Sequence, residues 1–169
     1  MSGKPELAEL SMWRPARPED GEEIVSMCLA LYREDPGFAP VEAAQVRETL
    51  AVFDRQPDRG LAVVAEVGGG VAGYAFLVPF WSNELAGEVC AVDELYVLPE
   101  RRGQGLGSAL FGGIDAGRFG SFAATALGVT PGNAGARRLY ERLGFRAAVT
   151  TMLRRRGLEE KPCTRDRPG

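Results

Sequence analysis

The residues best suited to chemistry lie in one segment, 92–110, where an apolar run is followed by closely spaced glycines. The run Leu95–Pro99 predicts the end of a strand, and the glycines that follow predict a turn that opens a helix. The first turn of a helix offers unpaired N–H groups and a partial positive charge, and glycines let an anion approach them closely. Arg102 adds a full positive charge. This arrangement predicts a binding site for a pyrophosphate group.

Two familiar phosphate-binding patterns do not fit this segment. The dinucleotide pattern Gly-x-Gly-x-x-Gly fails because its last position is Ser108 or Leu110, which argues against a Rossmann oxidoreductase. The loop of nucleoside triphosphatases needs a lysine, and the only lysines are Lys4 and Lys161, near the chain ends. The pattern that does occur is an arginine, two residues, a glycine, one residue and a second glycine, directly after a predicted strand.

A second segment, 133–145, carries Asn133 and then Leu139-Tyr140, followed after three residues by Gly144-Phe145. In this order and separation, the two segments resemble the signature motifs of the GNAT superfamily, the acyl-CoA-dependent N-acetyltransferases. The resemblance is specific over about residues 60–153 and coarse over residues 1–60. It predicts a single domain spanning 1–169, with a core at 11–155 and a loose C-terminal tail at 156–169.

The fold that the resemblance implies is α/β, with a mixed, mostly antiparallel sheet of about six to seven strands, one of them splayed to bind the cofactor, and about four helices. Local patterns agree with a mixed α/β domain that has hairpins early and alternating elements late. Helices are predicted at about 18–34, 41–53, 105–117 and 133–143. Strands are predicted at 12–16, 61–67, 71–80, 88–98, 122–129 and 145–153. The triplet 68–70 is all glycine and predicts a tight hairpin turn.

The resemblance also assigns residues to acetyl-CoA as co-substrate. Seven of them would surround the pyrophosphate, mainly through backbone N–H groups: Arg102, Gly103, Gln104, Gly105, Leu106, Gly107 and Ser108. The main chain of Tyr96 and Val97 would hydrogen-bond the pantetheine arm, as an added strand does. Asn133 would bind the same arm, or cap the helix that follows it. Tyr140 would protonate the leaving thiolate, and its alternative role is packing in the core.

Several acids remain open as the group that takes the proton of the attacking amine. In related enzymes one face of the central strand points toward the acyl group, and alternation would place Val89, Ala91 and Asp93 on it. Asp93 is therefore favoured over Glu94, which would lie on the opposite face. Glu84, Glu88 and a water molecule are the alternatives. Because the chain has no histidine, the base is a carboxylate or a water held by one.

In this superfamily the first two helices and nearby loops shape the acceptor site. Here those segments contain acids, Asp35 among them, together with aromatics, which suits a cationic amine. The candidate substrate-binding residues are Tyr32, Glu34, Phe38, Trp81 and Glu84. The Asp93-Glu94 pair is similar to the acidic pair of diamine acetyltransferases and favours a small primary amine that attacks directly in a ternary complex. The alternatives are a protein N-terminus or lysine as acceptor, and a CoA-binding regulatory module without turnover.

Composition excludes several other classes of function. Without histidine there is no Ser-His-Asp or Cys-His catalysis, and the three scattered cysteines fit neither a zinc ribbon nor a redox dithiol, so no metal is expected. The first 100 residues carry 7 basic and 18 acidic side chains, whereas residues 101–169 carry 13 basic and 5 acidic. The basic second half suits the phosphates of CoA, and Arg137 and Arg138 are either solvated or near its 3′-phosphate.

The same composition bounds the surroundings of the protein. The net charge of −3 and the pI of about 5.2 disfavour a nucleic-acid partner. The most apolar stretch, 67–81, is short and interrupted by Pro79, so no membrane partner is expected. The acidic first 25 residues do not resemble a signal peptide, and a cytoplasmic location is expected. The resemblance leaves a monomer and a homodimer open.

Overall fold

The computed structural model of the protein describes residues 13–150 and 152–154. Its strands are β1 (Trp13–Pro15), β2 (Leu61–Val67), β3 (Gly70–Ser82), β4 (Gly87–Val97) and β5 (Ala124–Leu127). Its helices are α1 (Gly21–Glu34), α2 (Ala43–Arg55), α3 (Leu106–Asp115) and α4 (Ala134–Arg142). The four predicted helices are confirmed. The outermost positions of the predicted core and the predicted tail at 156–169 lie outside the described residues.

The strands form one sheet in the order β1-β2-β3-β4-β5. Neighbours are antiparallel from β1 to β4, whereas β5 runs parallel to β4. The hairpin between β2 and β3 turns through Gly68 and Gly69, whose φ values of 63° and 82° lie in the left-handed region. This confirms the turn predicted from the glycine triplet, because residues with a Cβ rarely adopt that conformation.

Helices cover both faces of the sheet. On one face, α1 and α2 bury Ile24 and Val46 against β2 and β3 residues such as Val64. On the other face, α3 buries Leu110 and Phe111 in a cluster that also contains Trp13 of β1. The alternation of side chains along each strand is what divides the core into these two layers. β4 contributes to both layers, with Val92 in one and Tyr96 in the other.

The described residues form five strands, fewer than the six to seven expected for the domain. The predicted final strand at 145–153 is wrong where it can be checked, because residues 145–150 and 152–153 form no strand. Phe145 instead packs its ring against Phe111 and Tyr140, at centroid distances of 5.1 and 5.9 Å. Residues 146–150 and 152–154 are exposed, and none of them pairs with the outer edge of β5. Their apolar content indicated a strand, but a strand forms only where a partner accepts its hydrogen bonds.

Trp13 joins β1 to the start of α3. Its side chain is 1% exposed, and its indole N–H donates to the carbonyl of Leu106 at 2.8 Å. Replacing Trp13 with phenylalanine removes this bond and buried volume, so we expect the free energy of unfolding to fall by about 2 kcal/mol or more. Denaturant unfolding measures this, and Trp81→Phe is the matched control because Trp81 is 65% exposed. An equal fall in the free energy of unfolding of both variants would show that the buried hydrogen bond does not stabilise the fold.

Candidate functional site

The cleft of this domain opens where β4 and β5 separate. Their parallel pairing runs from Val89 opposite Ala124 to Val92 opposite Leu127 and then stops, although β4 continues to Val97. The resulting cleft has a volume of about 1150 Å³. It is lined by the second half of β4, the C-terminal end of α1, the start of α3, and the segment from Thr130 into α4. The strand that the sequence predicted to be splayed is therefore splayed.

A β-bulge between β3 and β4 lies at the point where β4 begins to separate from β5. Phe76 of β3 is opposite Glu94, whereas the next residue, Leu77, is opposite Val92, so Asp93 is the extra residue. The bulge shifts the alternation, and Cys90, Val92, Leu95 and Val97 all pack into the α3 layer. The face that Val89, Ala91 and Asp93 were expected to share is thus interrupted at Asp93. Bulges commonly redirect side chains in this way beside functional sites.

The start of α3 presents free backbone donors to the cleft. Gly105 precedes the helix with φ of 82°, and Gly103 has φ of 75°. The first N–H to find a carbonyl within the helix is that of Ala109, which bonds Gly105 at 2.9 Å, so the three preceding N–H groups have no helical partner. A Cβ built on Gly103 or Gly105 would meet no atom within 4 Å. Both glycines therefore face open space in the cleft.

Gly107 serves a different purpose from the two glycines before it. A Cβ at this position would lie 2.8 Å from the Leu139 side chain, so its absence allows α3 and α4 to approach each other closely. Leu106 is buried, whereas Ser108 borders the cleft beside Gly107. The side chain of Gln104 donates back to the carbonyl of Glu100 at 3.2 Å, within its own turn. Its contribution to an anion site would therefore come from the backbone.

Arg102 is held in place from three sides. Its Nε donates to the carbonyl of Val97 at 2.9 Å, its Nη2 donates to Glu34 at 2.7 Å, and its guanidinium lies 5.2 Å from the centre of the Tyr96 ring. The hydroxyl of Tyr96 donates to the other oxygen of Glu34 at 2.7 Å. These two donors lower the pKa of Glu34, the hydrogen bond from Tyr96 having the larger effect. Glu34, a candidate for substrate binding, thus lies beside the arginine that the resemblance assigned to the pyrophosphate.

Two further arginines, which the sequence did not single out, line the cleft. Arg101 and Arg142 both border it, together with Arg102. Arg137 and Arg138, which were considered for the 3′-phosphate, are exposed and do not line it. Helical periodicity could have indicated Arg142, because it lies three residues after Leu139, which also borders the cleft.

The structure confirms the prediction that Asn133 caps α4, and Asn133 also lines the cleft. Its side-chain oxygen accepts the N–H of Ala136 at 3.1 Å, and its amide donates to Asp35 at 3.2 Å. The other oxygen of Asp35 accepts the hydroxyl of Thr130 at 2.7 Å. Asp35 ends α1 because Pro36 follows it. The sequence indicated a helix end there, and the contact across the cleft appears only in the folded chain.

Tyr140 lies on α4, on the cleft that α4 shares with the start of α3. Its ring packs edge-on against Phe111 and Phe145, at centroid distances of 5.8 and 5.9 Å, and the residue borders the cleft. Burial raises the pKa of Tyr140, and the negative charge of Asp35 raises it further. The hydroxyl is therefore protonated at neutral pH and suited to donating a proton. Packing and proton donation, which the sequence treated as alternatives, are compatible here.

The two acids proposed as the base lie outside the residues that line the cleft. Glu94 is on the α1 side of the sheet, where it accepts the hydroxyls of Tyr32 at 2.8 Å and Tyr74 at 2.7 Å. Cys28 lies 3.5 Å from the same carboxylate, and burial raises the pKa of its thiol to about 12. Asp93 is exposed at the bulge. Simple alternation would place Glu94 on the same face as Cys90 and Val92, which pack in the α3 layer. The bulge at Asp93 moves Glu94 to the α1 side instead, so the face expected for Glu94 is wrong.

The remaining acceptor candidates are spread over the surface. Tyr32 binds Glu94, and Phe38 is 59% exposed in the connection between α1 and α2. Trp81 and Glu84 lie at the hairpin end of β3 and β4, and Glu88 is opposite Trp81. At about 3.3 Å per residue, this end of β4 is roughly 20 Å along the strand from Leu95, where the cleft begins. The structure does not bring Trp81, Glu84 or Glu88 to the cleft.

Within residues 13–150 and 152–154, no group of three or more histidine, cysteine, aspartate or glutamate side chains could hold a metal ion. No helix in the same part of the chain is long and apolar enough to cross a membrane.

Comparison with known proteins agrees with this geometry. The pattern of the acetyltransferase (GNAT) family matches residues 21–145, which is most of the chain. The chain belongs to the GNAT acetyltransferase family. Both signature segments, the start of α3 and the segment from Asn133 to Phe145, lie within the matched range. Members of this family normally use acetyl-CoA.

Solved structures with this GNAT fold are similar in shape and distant in sequence. A possible acetyltransferase from Clostridium difficile 630 has a TM-score of 0.72 and 21% identity, over 86% of this chain and 97% of the other. An integron cassette protein from the mobile metagenome of Cole Harbour Salt Marsh has a TM-score of 0.71 and 22% identity, over 91% and 95%. A ribosomal-protein-alanine N-acetyltransferase from Brucella melitensis biovar Abortus 2308 has a TM-score of 0.68 and 19% identity, over 86% and 98%. No curated protein matches in sequence.

Proposed function

We propose that this protein transfers an acetyl group from acetyl-CoA to the primary amine of a small cationic molecule, by direct attack in a ternary complex. The observation that carries the proposal is the shared cleft. The free N–H groups at the start of α3 and the hydroxyl-bearing Tyr140 border one space of about 1150 Å³. That space is large enough for a cofactor arm and a small acceptor.

The cleft residues divide into an anion-binding end and a reactive end. At the anion-binding end, the start of α3 supplies N–H donors and a helix dipole, and Arg101, Arg102 and Arg142 supply full charges. Beyond Val92, no strand in the described part of the chain pairs with the edge of β4 that faces β5, so the peptide groups pointing away from β3 are available to an extended arm. Arg102 already donates a hydrogen bond to the carbonyl of Val97. A pantetheine arm that bound this carbonyl would therefore share it with Arg102.

At the reactive end, acetyl-CoA supplies the thioester. The amine nitrogen bonds the acetyl carbon, the carbon–sulfur bond breaks, and the Tyr140 hydroxyl gives its proton to the departing sulfur. The attacking nitrogen must lose a proton, and Asp93, Glu94 or a water molecule remains the candidate to accept it. Neither acid lines the cleft, so a water chain would have to connect them to the amine.

Thermal unfolding with and without acetyl-CoA tests the cofactor assignment, with NADH and ATP as controls. A ligand present at 100 times its dissociation constant, and bound only by the folded state, adds about 2.7 kcal/mol of stability. We expect a rise in Tm with acetyl-CoA and none with NADH. The absence of a rise at high acetyl-CoA would contradict the proposal and favour an unrelated function.

Thiol release in the presence of a panel of acceptors tests the reaction itself. The panel contains diamines, monoamines and a peptide with an N-terminal alanine, since one structural neighbour is named as an alanine N-acetyltransferase of ribosomal proteins. Turnover with small amines supports the proposal. Turnover with the peptide alone would favour the protein-directed alternative, and binding without any turnover would favour a regulatory module.

A further inference from the structure

Among residues 13–150 and 152–154, two carboxylates line the cleft, those of Glu34 and Asp35. The negative charge of Glu34 is balanced by Arg102, with which it forms an ion pair at 2.7 Å. Asp35 is held by a hydroxyl and an amide, both neutral, and forms no ion pair with any cation in the described part of the chain. Of the two carboxylates, Asp35 is therefore the one that has no arginine or lysine paired with it in the described part of the chain.

The surroundings of Asp35 reinforce its attraction for a cation. It directly follows α1, whose last turn carries the partial negative charge of a helix C-terminus. Its two hydrogen bonds, to Thr130 at 2.7 Å and Asn133 at 3.2 Å, fix the carboxylate at the wall of the cleft. A carboxylate accepts up to about four hydrogen bonds, so both oxygens retain acceptor sites for a ligand.

Asp35 is also electrostatically coupled to Tyr140, since its charge raises the pKa of that hydroxyl. A cation bound at Asp35 would therefore lie near the proton donor for the leaving thiolate. The other acids considered for the acceptor do not share this position. Glu94 is held by Tyr32 and Tyr74 outside the cleft lining, and Glu84 is at the far end of the sheet.

We propose that Asp35 binds the ammonium group of the acceptor and thereby makes the enzyme selective for cationic amines. This inference rests on the proposed function, because it assigns a specificity residue to the same reaction. The carboxylate attracts the ammonium form and orients its nitrogen. The ammonium loses one proton to water before its nitrogen attacks the acetyl carbon, and the carboxylate then stabilises the positive charge that returns to that nitrogen as the new bond forms. Asp35 is a specificity-determining residue here, and the proton donor remains Tyr140.

The test compares Asp35→Asn with the unaltered protein, using an aliphatic amine that is cationic at pH 7 and an arylamine that is neutral. We expect kcat/KM for the cationic amine to fall at least about tenfold, since a charge-assisted contact is lost, and kcat/KM for the arylamine to change much less. Local damage to the fold would lower both rates together, so the ratio of the two is the informative readout. Asp54→Asn, on the exposed side of α2, is the matched control.

Acetyl-CoA affinity and Tm of each variant show whether the site is intact. If Asp35→Asn does not fold, Asp35→Glu takes its place in the test. This variant keeps the charge but displaces it, so we expect a smaller selective loss of kcat/KM for the cationic amine. Equal effects on the two amines, or none, would overturn the role of Asp35 while leaving acetyl transfer in place. If the unaltered protein neither binds acetyl-CoA nor releases thiol, the proposed function itself fails, and the role of Asp35 with it.

Discussion

Replacing Tyr140 with phenylalanine is expected to lower kcat for acetyl transfer by about 100-fold or more, since a positioned proton donor contributes about 10²–10⁴ to a rate. The substitution removes one oxygen atom and leaves the ring that packs against Phe111 and Phe145. The dissociation constant of acetyl-CoA and Tm should therefore change little. Steady-state kinetics and calorimetric binding measure these quantities separately.

The pH dependence of kcat tests the role of the Tyr140 hydroxyl independently. Burial and the charge of Asp35 both raise the pKa of Tyr140, so the hydroxyl stays protonated across the neutral range. Loss of activity through its ionisation should begin only above the ordinary tyrosine pKa of about 10. An unchanged kcat in Tyr140→Phe would show that the ring only packs, and the leaving thiolate would then take its proton from water.

Replacing Gly105 with alanine is expected to weaken acetyl-CoA binding about tenfold or more, which corresponds to about 1.4 kcal/mol. In the protein itself a Cβ at this position meets no atom within 4 Å, so the methyl group would project into open cleft. It would occupy the space through which an anion approaches the N–H groups at the start of α3. Calorimetric titration with acetyl-CoA measures the loss.

The control for this prediction is Gly69→Ala in the turn between β2 and β3. Gly69 and Gly105 have the same φ of 82°, and neither has an atom within 4 Å of a built Cβ. Both variants should therefore lose stability through the left-handed backbone, by about 1–2 kcal/mol. Only Gly105→Ala should lose cofactor affinity. Equal acetyl-CoA affinity in the two variants would mean that the start of α3 is not the pyrophosphate site.

The features that could be predicted from sequence are those that short stretches of chain determine. The glycine triplet specified the hairpin after β2, because a left-handed backbone favours glycine wherever the turn occurs. The helices followed from apolar residues at helical spacing, and Asn133 followed from the preference of asparagine for the position before a helix. The helix start with free N–H groups at α3 was predictable for the same reason, since the glycine spacing after a strand indicates where the helix begins.

Other features required the folded chain. The bulge at Asp93 depends on how β4 pairs with β3, and a period-two pattern does not reveal one extra residue in a partner strand. The final strand was overpredicted because Val149 and Thr150 favour extended structure without specifying a partner. The hydrogen bond between Tyr32 and Glu94 joins residues 62 positions apart, and no local rule fixes such a pair.

The sequence by itself indicated the family and placed the candidate phosphate-binding turn and the candidate proton donor, because two compact motifs contain all of them. Only the tertiary structure decided which acid borders the reactive end of the cleft. Asp35 and Asn133 are 98 residues apart and meet because α1 ends beside the segment that follows β5. That meeting depends on the separation of β4 from β5 and on the packing of helices on both faces of the sheet, and these are properties of the whole chain.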